Sequence, residues 1–184
     1  MRHIPLALLL LTFTGCLVPG SRSEAVTFHA FSAPSAPAAR PGPTLCLPRA
    51  AIPSGLRRPT VVIEWDGTVA MQDSHRWLAP LESAIPEALG RRITALTGQP
   101  CSSQPSSDDH LTLHSDVLRM DVTGGKARLR IRFRLEDAKG ERRHEAEAEW
   151  TSDLASPEPG DFVAAQSSNL DKAAAGLVSF LPKR

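Results

Sequence analysis

Residues 127–150 constrain this chain more than any other stretch. Ala127, Leu129, Ile131, Phe133 and Leu135 alternate with Arg128, Arg130, Arg132, Arg134 and Glu136. The returning segment alternates Arg143, Glu145, Glu147 and Glu149 with His144, Ala146, Ala148 and Trp150. A period of two puts one set on each face, so both segments read as half-buried strands of one hairpin. A two-residue loop at Lys139-Gly140 sets Glu136 opposite Arg143, Arg134 opposite Glu145, Arg132 opposite Glu147 and Arg130 opposite Glu149. Every cross-strand charge pair is then attractive, at roughly 0.2–1 kcal/mol each. A three-residue loop would set Phe133 against Glu145 and mix core with surface. The Arg row alone would suit a nucleic-acid groove, but its Glu neighbours neutralise it, and a solvated face is the better reading.

The remaining pattern predicts an α+β fold around that hairpin. Leu111–Val122 reads as a strand whose apolar phase slips from Leu111 and Leu113 to Leu118, Met120 and Val122, which predicts a bulge near Ser115 to Val117. Gly124-Gly125 makes the turn that follows. Val26–Ala30 and Thr44–Leu47 are candidate short strands, and Pro53, Ser54, Gly55 and Pro59 force a loop before the apolar run Thr60–Trp65. Across Ser74–Leu96, the residues Leu78, Leu81, Ile85, Leu89, Ile93 and Leu96 recur at helical spacing, with Pro80 in the first turn and Gly98 and Pro100 as stops. An interior proline costs about 3 kcal/mol or bends the helix, so Pro86 predicts a kink or a later start. Asp161 is a candidate N-cap for a second, Ala-rich helix reaching Leu181, with Val163, Leu170, Ala174 and Leu177 along one side. The expected architecture is a mostly antiparallel sheet with two helices packed on one face, in a single compact domain.

At the N-terminus, Arg2 and His3 precede the apolar run Leu6–Phe13. A secretory signal needs about 7–15 apolar residues, a membrane-spanning helix about 20. The run closes on Phe13-Thr14-Gly15-Cys16, which resembles a bacterial lipobox, a signal in which the Cys thiol is acylated and becomes the first residue after cleavage. That organisation gives a signal at 1–15, a tether at 16–24 and a domain at 25–184 with a Pro/Ala-rich loop at 33–43. Plain secretion, with cleavage after the small pair Ser23 and Ala25, is the alternative. The chain carries 21 Lys+Arg against 20 Asp+Glu, and Arg2 leaves with the signal. A neutral mature protein has no bulk pull on nucleic acid. Cys46 and Cys101 then form an even pair in a compartment that permits disulfides. Either they bond, stabilising the fold by about 3–5 kcal/mol, or they stay separate, Cys46 in a strand and Cys101 in a loop.

Chemistry-bearing motifs are scarce. Asp108, Asp109, His110 and His114 come nearest to a metal cluster, but on a strand the two histidines stand about 13 Å apart, and they read as surface residues. The sequence has no Gly-rich phosphate loop and no nucleophile elbow. No cofactor and no metal are expected. A secreted hydrolase would require a concave cluster of titrating residues that no local pattern announces.

Phe28 to Phe31, Ile52-Pro53-Ser54-Gly55-Leu56 before Arg58-Pro59, Arg76-Trp77-Leu78-Ala79-Pro80-Leu81, Leu129 to Leu135 and Phe162 to Leu181 follow one another in an order that resembles the ABC-type transport auxiliary lipoproteins, the PqiC/YmbA-type intermembrane transport lipoproteins. The segment from Arg76 to Leu81 is the most specific of these. The resemblance implies a non-catalytic lipoprotein, acylated at Cys16, that works with an MCE-domain protein and an ABC transporter permease and ATPase, with a homo-oligomer as a further expectation. It implies the periplasmic face of a membrane, and Leu17 in place of Asp favours the outer one. Arg76, Trp77 and Pro80 become candidate partner contacts, each with a structural alternative: cap, core residue and helix starter. A stand-alone periplasmic lipid-binding or chaperone-like lipoprotein is the alternative role.

Overall fold

The computed structural model describes residues 24–32, 34, 44–105, 108 and 110–181. The signal at 1–15, Cys16, the tether up to residue 23 and nearly all of the 33–43 stretch lie outside the described residues.

Strands β6 (His110–Thr123), β7 (Lys126–Asp137) and β8 (Arg142–Asp153) form an antiparallel meander. In β7 the five apolar residues of the alternation are at most 3% exposed. Arg134 faces Glu145, Arg132 faces Glu147 and Arg130 faces Glu149, as the charge pattern predicts. The tip differs: a register shift puts Glu136 opposite Arg142 instead of Arg143. Asp137 causes the shift, because its carboxylate accepts the amides of Lys139 and Glu141, both at 2.9 Å, and winds a wider loop around itself. The bulge in β6 also falls later than expected, between Val117 and Arg119. Ala51 bonds Ser115 at 3.0 Å and Val117 at 2.8 Å, which holds the ladder regular that far and leaves Leu118 as the extra residue.

The other edge of β6 takes three neighbours in chain order. They are β2 (Thr44–Cys46) at His110–Thr112, the bridge of Ala51 to Asp116, and β3 (Thr60–Trp65) at Val122, all parallel. Beyond them, β3 pairs antiparallel with β4 (Thr68–Trp77), β1 (Thr27–His29) runs parallel to His75–Trp77, and β5 (Cys101–Ser102) flanks β2. The result is an eight-stranded open sheet, antiparallel in its long pairings.

Strand β4 corrects the expected helix at Ser74. Asp66 (φ 46°) and Gly67 (φ 85°) close a two-residue turn, and the Asp66 carboxylate accepts the Gly124 amide at 3.0 Å. That hairpin commits residues 68–77 to the sheet, and α1 runs from Leu81 to Thr97, with Pro80 as its N-cap residue. Leu81, Ile85, Leu89 and Ile93 are at most 2% exposed, whereas Leu78 and Leu96 face solvent. Pro86 sits inside α1, and the Glu82 carbonyl that its missing amide would have reached accepts Ala50 at 2.8 Å. Helix α2 spans Pro159–Val178 with Glu158, not Asp161, at its N-cap; Asp161 lies in the first turn and accepts the Ser156 hydroxyl at 2.6 Å. Leu181 is buried beyond the helix end. Both helices share one core with the apolar row of β7, leaving the Arg/Glu face open.

Gly90 marks the closest approach of α1 to β5, because a Cβ placed there would lie 3.1 Å from Cys101 Cβ and 3.7 Å from Leu47 Cδ1. Gly90→Val is expected to destabilise the fold by about 1–3 kcal/mol through overpacking. An unchanged urea midpoint would contradict this packing.

Candidate functional site

The structure separates the three residues singled out in the Arg76–Leu81 segment. Trp77 is buried, its ring centroid 5.2 Å from that of Phe31, and its amide donates to Pro59 at 2.7 Å. The Pro80 carbonyl accepts the amides of Ser83 and Ala84 and the Ser83 hydroxyl, so Pro80 opens α1. These two build the corner between β4 and α1. Arg76 is exposed and lies in register with Phe28 on one side and Thr60 on the other; Pro80 is exposed too, so of the three only Trp77 is withdrawn from a partner.

Beside that corner, His29 on β1 and His75 on β4 share a hydrogen bond, Nε2 to Nδ1, at 2.8 Å, with ring centroids 5.1 Å apart. One ring donates, so at least one must be neutral. Burial, then the neighbouring His75, holds the His29 pKa below the usual imidazole value. His29 also lines a cavity of about 150 Å³ with Glu87 and Arg91 of α1.

Cys46 and Cys101 are both free thiols. Leu45 stands opposite Cys101 in the β2–β5 pairing, so Cys46 points to the other sheet face and no bond forms between them. Cys101 belongs to β5 rather than to a loop. Burial raises both thiol pKa values, most of all opposing the thiolate form. Cys101 lies at the floor of a groove of about 780 Å³ between α1 and β2, with Arg49, Pro86 and Arg91 around it.

The open face of β7 and β8 is a network of ion pairs. Glu147 accepts Arg130 Nε at 2.7 Å and Arg132 Nη2 at 3.0 Å, and Arg132 followed by Arg130 holds its pKa below the usual carboxylate range. Arg130 thus reaches across the diagonal instead of to Glu149 directly opposite. Asp121 takes Arg128 in a two-pronged contact at 2.8 and 2.7 Å. His114 bonds Glu136 at 3.2 Å, and Asp109 lies outside the described residues. Among the described residues no group of three His, Cys, Asp or Glu could hold a metal ion.

Sequence reasoning missed the exposed apolar residues Val69 and Met71, because it gave the end of β4 to a helix and left residues 68–73 unassigned. The Asp66-Gly67 dipeptide was the available signal.

Residues 28–178 match the family model of the ABC-type transport auxiliary lipoprotein component. No curated protein matches the chain. Among solved structures, it is similar to a crystal structure described only as an uncharacterized protein, with 17% identity and a TM-score of 0.72 over 85% of this chain and 98% of that one. It is also similar to a Xanthomonas campestris protein of the DUF330 family, with 15% identity and a TM-score of 0.63 over 83% and 92% of the two chains. At such identities the likeness is one of fold.

A histidine kept neutral by the fold costs stability as pH falls through the unfolded imidazole value of about 6.5, because the unfolded chain takes the proton first. Lowering the pH from about 8 to about 5 is therefore expected to reduce the protection of the Thr27–His29 amides, taken as the exchange rate relative to the intrinsic rate at each pH. His29→Gln should flatten that dependence. Equal pH profiles for the two proteins would refute the coupling.

Proposed function

The chain belongs to the ABC-type transport auxiliary lipoprotein component family, and from that premise we propose that it is a non-catalytic docking subunit of an MCE-protein/ABC-type intermembrane lipid transport system. The observation that carries this reading is the extent of the family match. It begins within β1 at Phe28 and ends at Val178, the last residue of α2, so the family domain and the folded unit coincide.

In this reading Cys16 is acylated after cleavage of residues 1–15, and the lipid holds the domain at the periplasmic face of a membrane. The support is the apolar run ending in Thr14-Gly15-Cys16 behind a basic head. Leu17 favours the outer membrane. No helix among the described residues is long and apolar enough to cross a bilayer. One acyl chain binds a bilayer marginally and two or more hold firmly, so the N-terminal lipids would carry the attachment. An MCE-domain protein and the permease and ATPase of the same system are the partners. ATP hydrolysis falls to that ATPase, consistent with a sequence that has no Gly-rich phosphate loop.

Cys16→Ala should move the protein from the membrane to the soluble fraction of its native host and abolish co-purification of an MCE-domain protein. Membrane retention at the level of the unsubstituted chain would overturn the anchor. Free lipid co-purifying without any MCE-domain protein would favour a stand-alone lipid carrier instead.

A further inference from the structure

The sheet face turned away from the helices has two unlike halves. Over β7 and β8 it is the ion-paired ladder. Over β3, β4 and β1 the register places Thr60, Val62 and Glu64 of β3 on the same face as Arg76, Met71 and Val69 of β4, and Phe28 of β1 beside Arg76. Phe28 is 60% exposed, Val69 61% and Met71 55%, while Val61 and Ile63, one residue out of phase, are core. Leu56 of the preceding turn and the bulged Leu118 of β6 join Val62, Val69 and Met71 around a groove of about 340 Å³. Its charged lining is mixed, Arg58 and Arg119 with Glu64 and Asp121, and Arg119 pairs with Asp121 at 3.7 Å. Arg58 donates to the Met71 sulfur at 3.4 Å. This wing is apolar at its centre with a charge-balanced rim, so its pull toward a bilayer is that of exposed apolar side chains, with Arg58 and Arg76 placed to meet phosphates.

The chain's own course says what covers it. Strand β1 runs parallel to β4, so it enters the sheet from the side of the Asp66-Gly67 turn, the side that carries Met71 and Val69. Glu24 lies eight residues after Cys16. A fully extended chain spans at most about 3.3–3.6 Å per residue, so a lipid on Cys16 would keep Glu24 within roughly 30 Å of the bilayer. The sheet edge nearest the anchor is then this wing. A short tether gives an effective concentration in the millimolar range, so even a weak apolar contact would stay occupied.

We propose that the Phe28–Val69–Met71 wing, with Arg58 and Arg76, seats on the phospholipid surface of the membrane that holds this protein's own anchor, and so fixes the orientation of the domain. This rests on acylation of Cys16, which mass spectrometry of the same sample reads separately. Methionine supplies the probe: of the chain's three methionines, Met1 belongs to the signal, Met120 is 3% exposed and Met71 stands in the wing. The acylated full chain, purified from its host, is placed in vesicles of phosphatidylethanolamine and phosphatidylglycerol or kept in dilute detergent, and the rate of Met71 sulfoxide formation under peroxide is measured. Several-fold slower oxidation in vesicles is expected, with Val69→Glu restoring the faster rate while leaving the circular dichroism unchanged. Equal rates in acylated protein overturn the seating and leave the anchor standing. Protection already present in detergent, or appearing only with protein concentration, assigns the wing to a second copy and overturns it too. An unmodified Cys16 removes the tether and both readings with it.

Discussion

Strand β7 is the element on which the rest depends, because two independent forces agree on its register. Its apolar row is buried under the helices, and each fully buried large side chain there contributes about 1.5–3 kcal/mol. Its charged row faces the carboxylates of β8. Slipping the pairing by one residue would exchange the rows and drive arginines into the core. Burial alone would forbid that slip, and the Arg/Glu ladder additionally disfavours slips of two. Helix α2 then reads the strand through two fully buried amides. Asn169 donates to Ala127 at 3.0 Å and accepts Ser152 at 2.8 Å, while Gln166 donates to Arg128 at 3.1 Å. A buried amide left unpaired costs about 1–3 kcal/mol, so these bonds fix where along the hairpin the helix sits.

The second helix pairing is electrostatic. Arg92 of α1 is 2% exposed and donates to Asp171 at 2.5 Å, to Ala88 at 3.1 Å and to Ser167 at 3.2 Å, the first and last on α2. A buried guanidinium is tolerable only with such a full set of acceptors. Because Asp171 itself remains open to water, it is the backbone carbonyls that make the site deep and specific. The two helices are thereby joined to each other as well as to the sheet.

What could be read from residues alone follows from the range of the forces involved. The β7–β8 register was legible because charge and burial are both local and both periodic. The second helix was legible over its middle, but its start was not, since Asp161 is an equally good cap and only the Ser156 hydroxyl, five residues back, draws it into the first turn. The first helix was extended too far because Leu78 happens to stand three residues before Leu81 while belonging to the chain that leaves a strand. Pro86 could not be resolved locally, as the donor that satisfies Glu82 is Ala50. The same holds for the wing of the open face. Its members come from positions 28, 62, 69, 71 and 118, and only the parallel pairing of β1 with β4 and the turn at Asp66-Gly67 bring them together.

That parallel pairing also decides how the domain would bear load in the proposed role. Strand β1 is three residues long, too short to resist peeling if its pairs were opened one after another. A pull from the N-terminus along the strand axis shears all three pairs with β4 at once. The strand is further held where it leaves the sheet: the His29 carbonyl accepts the Leu78 amide at 2.8 Å, Phe31 packs on Trp77, and the Ser32 amide donates to Ser167 of α2 at 3.1 Å. These contacts reach the β4–α1 corner and the second helix, so tension entering at Thr27 spreads into the core instead of ending at an edge strand. A tether attached from this side and in this direction needs no long strand to anchor it.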